Sequence, residues 1–360
     1  TMQNKINNRL FLDIHAIQTV PPANINRDDT GSPKTAQYGG VTRARVSSQS
    51  WKRAIRKYFN ENGDIANIGI RSLEIVRYVA NKIVEQDSSI SIEDAMAMAE
   101  KTINAAKIST KKQKAKALFF LSDKQAEKLA EASIDKVTDK KQLQAILNDD
   151  ISIDIALFGR MVADNKILNE DASSQVAHAI STHAIQSEFD FFTAVDDLAP
   201  EDNAGAGMLG TVEYNSSTLY RYANIALHYF YRQLSDKEET INATKLFVKS
   251  FVESMPTGKI NTFANQTLPQ AIVVSLRSDR PLNMVSAFEE PIKSDNGYVD
   301  KSIEKLFAEY TKYDKILDKP IFTAHLILGN TEVNEIGKSE ASLNDLLEDL
   351  GKEIEKNIEA

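Results

Sequence analysis

The sequence predicts an α+β fold around a small sheet, with one helical insertion and one protruding hairpin. Short apolar segments typical of strands alternate with amphipathic helical segments along most of the chain. Residues 72–148 instead hold only helical patterns, rich in Ala, Lys and Glu and without Pro or Gly. The glycine-rich stretch 196–211 joins two extended segments, as the tip of a hairpin does.

The first elements are a strand, a polar loop and a basic helix. Leu10–Thr19 is apolar and short enough to be a strand with a buried face, and we expect the Pro21-Pro22 pair to stop it. Val41–Val46 alternates weakly, which predicts a short strand or an extended loop. The Ser47-Ser48 pair then offers an N-cap for a helix that runs to residue 59.

The later elements are predicted from the same two patterns, alternation for strands and a 3.6-residue period for helices. Alternation returns at Ile151–Met161, and Val176–Val195 predicts one or two strands. Further strands are predicted at Gln270–Leu276 and Phe322–Leu328. The remaining helices are predicted at Lys245–Met255, Ser302–Leu317 and after Leu343.

Composition excludes several classes of function. The chain has 360 residues, enough for two domains, and no apolar run long enough to span a bilayer. Its first residues have no apolar signal-peptide core. The absence of cysteine excludes disulfides, thiol catalysis and cysteine-ligated metal, and fits a cytoplasmic protein. With only five histidines, we expect no metal and no cofactor.

A local excess of positive charge interrupts an acidic background. The whole chain has a formal charge of −8, yet residues 30–60 hold seven cations and no Asp or Glu: Lys34, Arg43, Arg45, Lys52, Arg53, Arg56 and Lys57. At 100° per residue the helical cations lie opposite an apolar side formed by Trp51, Ala54, Ile55, Tyr58 and Phe59.

A basic helix face alone is more often a solvated surface than a binding site. Here the preceding loop adds Arg27, Lys34, Arg43 and Arg45, and S-S-Q-S stands at the positive end of the helix dipole. The combination supports a polyanion site as well as it supports a solvated surface, with nucleic acid as the first candidate for the polyanion. Tyr38-Gly39-Gly40 lacks the G-K-[ST] of a P-loop and is predicted to be a turn.

A second cluster of polar residues follows the insertion. His178, His183, Glu188, Asp190, Asp196 and Asp197 lie close enough in sequence to suggest a metal site or a metal-dependent nuclease. Their spacing matches no known zinc or two-metal pattern. Structural histidines and solvated hairpin acids are therefore the favoured interpretation.

Four blocks of sequence resemble the CasC family, the repeated backbone subunit of the type I-E CRISPR complex Cascade. The first block is N-R-D-D followed by G-G-x-x-R-x-R-V-S-S-Q-S-x-K-R-A-x-R-K. The other three, in the same order as in the family, are Ile153–Met161, Ala177–Leu198 and Leu209–Leu227. The insertion and the last hundred residues match only in general character.

The resemblance implies a fold shaped like a right hand. A modified RRM-like, ferredoxin-like palm would comprise residues 1–60 and 151–360. Helical fingers would comprise 61–150, and a hairpin thumb 196–213. The RRM aromatic signature is missing from this sequence, so base stacking on the sheet is not expected.

The resemblance also implies a function. Such proteins assemble head to tail along a CRISPR guide RNA, grip its phosphates and leave its bases exposed to pair with a target DNA strand, beside other Cascade subunits and away from membranes. The predicted RNA contacts are Arg27, Lys34, Arg43, Arg45, Ser47, Gln49, Lys52, Arg53, Arg56, Arg160 and Met161. Met161 would press against a displaced nucleotide, and the thumb tip at 204–210 would include Met208 and Leu209. The role is expected to be non-catalytic.

One alternative stays open. Related RNA-guided proteins of other CRISPR types cut target RNA with an Asp in the loop after the first strand, where this chain has Asp28 and Asp29. Neither a base nor a second acid is evident nearby, so cleavage is the second hypothesis. Asp28 and Asp29 could instead cap the loop, or pair with Arg27 or with a neighbouring subunit.

Overall fold

A computed structural model describes residues 9–63, 68–163, 165–198, 208–333 and 336–358. The strands in these ranges are β1 (Phe11–Ala23), β2 (Thr35–Tyr38), β3 (Val41–Val46), β4 (Gly69–Ser72), β5 (Thr110–Lys111), β6 (Lys114–Ala115), β7 (Phe119–Ser122), β8 (Ser174–Val176), β9 (Ala179–Ser181), β10 (Glu188–Ala194), β11 (Met208–Ala226), β12 (Ala271–Arg277), β13 (Phe322–Ile327) and β14 (Lys338–Ser339).

The helices in the same ranges are α1 (Ser48–Asn62), α2 (Ile75–Gln86), α3 (Ile92–Ala105), α4 (Asp123–Ile134), α5 (Lys140–Asn148), α6 (Ile153–Phe158), α7 (Leu227–Leu234), α8 (Lys237–Glu253), α9 (Ile260–Phe263), α10 (Val299–Tyr313) and α11 (Leu343–Asn357). None of the described helices is long and apolar enough to cross a membrane.

The chain divides into two compact units. The first unit comprises Thr1–Tyr58, Val176–Asn224 and Lys245–Asn357. The second unit comprises Phe59–Gln175, Ile225–Thr244 and Ile358–Ala360. The second unit therefore holds the predicted fingers and also takes in residues 151–175 and 225–244, which the resemblance assigns to the palm.

A mixed sheet organises the first unit. Its strand order is β14-β13-β12-β1-β11-β9-β3-β2, with β8 and β10 also pairing with β11. β1 is central and antiparallel to β12, from Phe11 opposite Arg277 to Ile17 opposite Ala271. The expectation that Pro21-Pro22 ends this strand is wrong, because β1 continues to Ala23. These prolines lie past the pairing with β12, where a missing amide proton breaks no ladder bond on that side.

The core of the first unit includes buried polar groups as well as apolar ones. His15 is fully buried, and its Nδ1 lies 2.9 Å from the Tyr220 hydroxyl. The Tyr222 hydroxyl donates to the Asp13 carboxylate at 2.6 Å, and burial raises the pKa of Asp13 to about 7. The same carboxylate accepts the Leu282 N–H, so these groups fix the loop after β12 to the sheet.

The second unit is a helical core with short strands at its edges. α2, α3, α4 and α5 enclose buried aliphatic residues such as Val79, Ile103 and Leu129. A capping box between Ser122 and Gln125 begins α4. The insertion is not all-helical, because β4 pairs with β7 and β5 pairs with β6.

Residues 151–161 do not form the strand that their alternation predicts. Ile153–Phe158 is a helix, and Gly159 ends it with a φ of +78°. Ile153 through Leu157 are all buried. An element buried on every side carries no polar face to mark its period, so alternation and helix cannot be told apart there.

The hairpin is present, and its paired strands begin earlier than predicted. β10 pairs antiparallel with β11 from Glu188 opposite Tyr214 to Ala194 opposite Met208. All seven residues of β10 are exposed. The tip at 204–207 lies outside the described residues. The predicted α+β class is confirmed, with a hairpin and with an insertion of helices and short strands.

Candidate nucleic-acid interface

Hydrogen bonds join the loop after β1, the β2–β3 hairpin and the start of α1. The Asn26 side chain accepts the Ser47 N–H at 2.8 Å, and the Asn26 carbonyl accepts the Lys34 N–H at 2.9 Å. The Lys34 carbonyl in turn accepts the Arg45 N–H at 2.9 Å. Segments that are separate in sequence therefore present their side chains around one helix N-terminus.

Ser47 caps α1 as the sequence predicts. Its Oγ accepts the Ser50 N–H at 3.4 Å, and its carbonyl accepts the Trp51 N–H at 3.2 Å. No acidic residue stands in the first turn. The positive end of the helix dipole is therefore not neutralised by a side chain of that turn.

A buried Trp–Arg contact fixes the rotation of α1. Trp51 is 1% exposed, and the Arg221 guanidinium lies 3.6 Å from its ring centroid. Arg221 also donates to Gln18 Oε1 at 2.5 Å and to the Phe251 carbonyl at 2.6 Å. Burial lowers the pKa of Arg221 to about 9, which leaves it charged at pH 7. With the Trp51 side held inside, the opposite side of the helix faces outward.

The outward side of α1 carries cations. Arg53 is exposed and Lys52 and Arg56 are half-buried, with exposed Gln49 one turn earlier. Lys52 and Arg53 form no ion pair with any residue that the structure describes. Burial lowers the pKa of Lys52. A nearby anion would act in the opposite direction, because it favours the charged form of the lysine.

A second group of cations lies on the β2–β3 side. Arg45 Nε donates to the Thr35 carbonyl at 2.9 Å, and Arg45 Nη1 lies 3.2 Å from His178 Nδ1. Burial lowers the pKa of His178, and the charges of Arg45 and Lys34 lower it further. These side chains thus share one region of positive potential.

The loop after β1 adds Arg27 and explains Asp28. Arg27 is exposed. Asp28 Oδ1 accepts from the Thr30 hydroxyl at 2.7 Å, the Thr30 N–H at 2.9 Å and the Ser32 N–H at 3.0 Å. The Thr30 side-chain bond, with the two backbone bonds, lowers the pKa of Asp28. Asp28 therefore caps this loop, as one of the sequence alternatives proposed. The cationic face is defined here as Arg27, Lys34, Arg45, Lys52 and Arg53.

Comparison with known proteins decides the family. The model of the Cas_CT1975 family, described as CT1975-like protein, matches residues 12–352. This chain belongs to the CT1975-like protein family. A search of curated proteins found no match.

Two solved structures are similar to this CT1975-like chain over nearly its whole length. One is titled "CRISPR RNA-guided surveillance complex, pre-nicking", with a TM-score of 0.86 and 30% identity over 96% of this chain and 100% of that chain. The other is titled "CRISPR RNA-guided surveillance complex", with a TM-score of 0.75 and 25% identity over 95% of this chain and 99% of that chain.

Besides Ser47, which is 5% exposed and caps α1, two arginines among the predicted RNA contacts of this CT1975-like chain are buried. Arg43 is 0% exposed, and its guanidinium donates to the carbonyls of Tyr38, Ser181 and Phe288. Arg160 is 4% exposed, and it donates to carbonyls that include those of Leu168 and Leu147. Since these donors are satisfied inside the protein, neither side chain lies where a phosphate can reach it.

Met161 lies in the second unit, at the end of the segment Gly159-Arg160-Met161 that follows α6. It is 86% exposed, although methionine is an apolar residue. Gly159 holds the turn, since a Cβ there would lie 2.9 Å from the Glu170 carbonyl oxygen. Met161 and Leu118 line a cavity of about 360 Å³. Two exposed apolar side chains, Met161 and Leu118, therefore border this cavity.

The hairpin carries an apolar stripe that sequence reasoning missed. Phe189 and Phe191 are 67% and 66% exposed and lie on one face with Leu209, which is 66% exposed. Phe192 lies on the other face, over Gly210. The i, i+2 spacing of the two exposed phenylalanines was the available signal. Met208 pairs with Ala194, and its side chain lies outside the described part.

The structure separates the histidines that had suggested a metal site. His183 is buried, accepts the Thr218 N–H at 3.0 Å through Nε2, and stacks on Tyr298 at 3.7 Å. His178 is exposed and contacts Arg45, so it is not the packed residue that was expected. Across the described ranges no three His, Asp or Glu side chains come together as they would around a metal ion.

Proposed function

We propose that this chain is a subunit of a CRISPR RNA-guided surveillance complex and that it holds the guide RNA by its sugar-phosphate backbone. The similarity to two structures with that title supports the first part. The cationic face supports the second part. Its cations lie on segments that hydrogen bonds join at the N-terminus of α1, on a chain whose formal charge is −8.

Phosphate binding suits a subunit that must hold guides of any sequence. Lysine and arginine on the cationic face neutralise phosphates without reading bases, so the bases stay available for pairing. The resemblance to the CasC family extends the proposal to a type I-E assembly. Copies would then stack head to tail along the guide, beside other subunits, with target DNA paired to the exposed bases.

RNA that copurifies with the assembled protein tests this proposal. We expect a denaturing gel of the complex purified from cells that express a CRISPR array to show RNA of one discrete length. Ribonuclease should remove that band, and deoxyribonuclease should leave it. An intact assembly that contains no RNA would contradict the proposal.

We propose further that the chain is not a nuclease. The support is that Asp28 Oδ1 accepts three hydrogen bonds within its own loop, so the carboxylate stabilises the loop conformation. RNA complementary to the guide should stay intact when incubated with the complex and Mg²⁺. Asp29→Ala and Asp28→Asn should not change that result, and Asp28→Asn should loosen the loop. Cleavage that needs metal and disappears in either variant would establish the ribonuclease alternative instead.

A further inference from the structure

We propose that His178 is a further RNA-contacting residue of the cationic face, and that its imidazole takes up one proton from solvent when a phosphate binds beside Lys34 and Arg45. The inference rests on the function proposed above. It adds a residue that the sequence interpretation treats as a structural histidine, and it makes the affinity for RNA dependent on pH.

The contact with Arg45 fixes the state of His178 in the free chain. A guanidinium can only donate hydrogen bonds, so His178 Nδ1 must accept the 3.2 Å contact from Arg45 Nη1. The ring is then neutral, with its proton on Nε2. The pairing of β3 with β9, which sets Arg45 opposite Ile180, holds the two side chains together.

The surrounding charges explain why the ring is neutral before RNA binds. Arg45 on β3 and Lys34 beside β2 are the charged groups that act on His178 within the described chain, and both are positive. A protonated ring would be a third positive charge in the same place, and it would lose the Arg45 contact. Partial burial adds to the cost.

A bound phosphate removes both the charge repulsion on His178 and the need for its contact with Arg45. Its negative charge offsets those of Lys34 and Arg45, which removes the repulsion that keeps His178 neutral. Arg45 Nη1 can turn from His178 Nδ1 to a phosphate oxygen, and Nδ1 then carries a proton. The imidazolium donates to the phosphate in a charge-assisted hydrogen bond. Protonation and RNA binding therefore favour each other.

The sign of the pH dependence follows. The pKa of His178 is below its ordinary value in the free chain, and phosphate raises it in the complex. Affinity should therefore increase as the pH falls between these two values, and it should be constant above both. Each unit of difference between the two pKa values corresponds to a tenfold change in affinity, about 1.4 kcal/mol.

The experiment measures binding of a single-stranded RNA by the purified chain from pH 8 to pH 5.5 at constant ionic strength. Wild type should bind more tightly at low pH. His178→Gln should lose the increase in affinity at low pH, because a glutamine amide cannot take up a proton. His178→Ala should also weaken binding at pH 8. The matched control, His228→Gln, should keep the wild-type profile.

The outcomes separate the two proposals. RNA bound by His178→Gln with the wild-type pH profile overturns the role of His178 and leaves the proposed function intact. A wild-type chain that binds no RNA at any pH overturns the proposed function. NMR titration of the His178 ring in the free chain shows which ring nitrogen carries the proton. We expect the Nε2–H tautomer, because Nδ1 accepts from Arg45. The opposite tautomer would refute the Arg45 contact, and a midpoint that does not rise on addition of RNA would refute proton uptake.

Discussion

The double substitution Lys52→Ala with Arg53→Ala should reduce the affinity of this chain for single-stranded RNA by about 25-fold at 0.1 M salt. Each phosphate neutralised on a single strand contributes about 0.7 to the slope of log affinity against log salt. Removal of two cations should therefore flatten the slope by about 1.4. The same two contacts amount to about 1.4 log units of affinity at 0.1 M, if the electrostatic contribution vanishes near 1 M.

The control removes equal charge from the same unit away from α1. Lys315 and Lys319 are exposed and form no ion pair with any described residue, so Lys315→Ala with Lys319→Ala should leave the slope unchanged. Fluorescence anisotropy over 50–300 mM salt measures both variants. Equal losses in the two doubles would mean that only net charge matters. An unchanged slope for Lys52→Ala with Arg53→Ala would mean that α1 does not face the RNA.

The rotation of α1 about its axis could be predicted because its apolar and charged residues fall on opposite sides of the helix. Trp51 and Ile55 fall on one side of the helical wheel, and both are buried in the structure. The Ser47 cap follows from the same local rules. Local signals of this kind are enough to predict the orientation of an element that has one solvent-exposed side and one buried side, as α1 does.

Arg43 and Arg160 show the limit of reading charge from sequence. Both lie in blocks that resemble the CasC family, and sequence gives no sign of which carbonyls surround them. Arg43 meets the carbonyls of Ser181 and Phe288, which are distant along the chain. A buried guanidinium and an exposed one differ only in these tertiary partners, because arginine has the same five donors in either place.

His178 was misjudged for the complementary reason. The absence of a metal-ligand spacing favours structural histidines at both positions, as found for the buried His183. The register of β3 against β9 instead places His178 beside Arg45. Strand register depends on distant pairing, and a shift by one residue would move every side chain to the opposite face.

Substitution of Gly39 by Ala should be among the most destabilising single changes in the first unit. Gly39 lies in the predicted β2–β3 turn with a φ of +60°, and a Cβ there would lie 1.7 Å from the Glu289 carbonyl oxygen. The turn and the Glu289 backbone cannot both keep their positions. We expect a loss of about 2–5 kcal/mol in the free energy of unfolding, from the left-handed backbone and the overpacking together.

The neighbouring glycine provides the matched control for this prediction. Gly40 has a φ of +78°, and a Cβ at this position would meet nothing within 4 Å, so Gly40→Ala should cost only about 1–2 kcal/mol, for the backbone alone. Urea denaturation of the two variants measures the difference. Gly39→Ala should also separate Arg43 from the Phe288 carbonyl and weaken RNA binding, since β2 and β3 position Lys34 and Arg45. Equal stability of the two variants would show that the Glu289 segment yields freely, and that the cationic face does not depend on this contact.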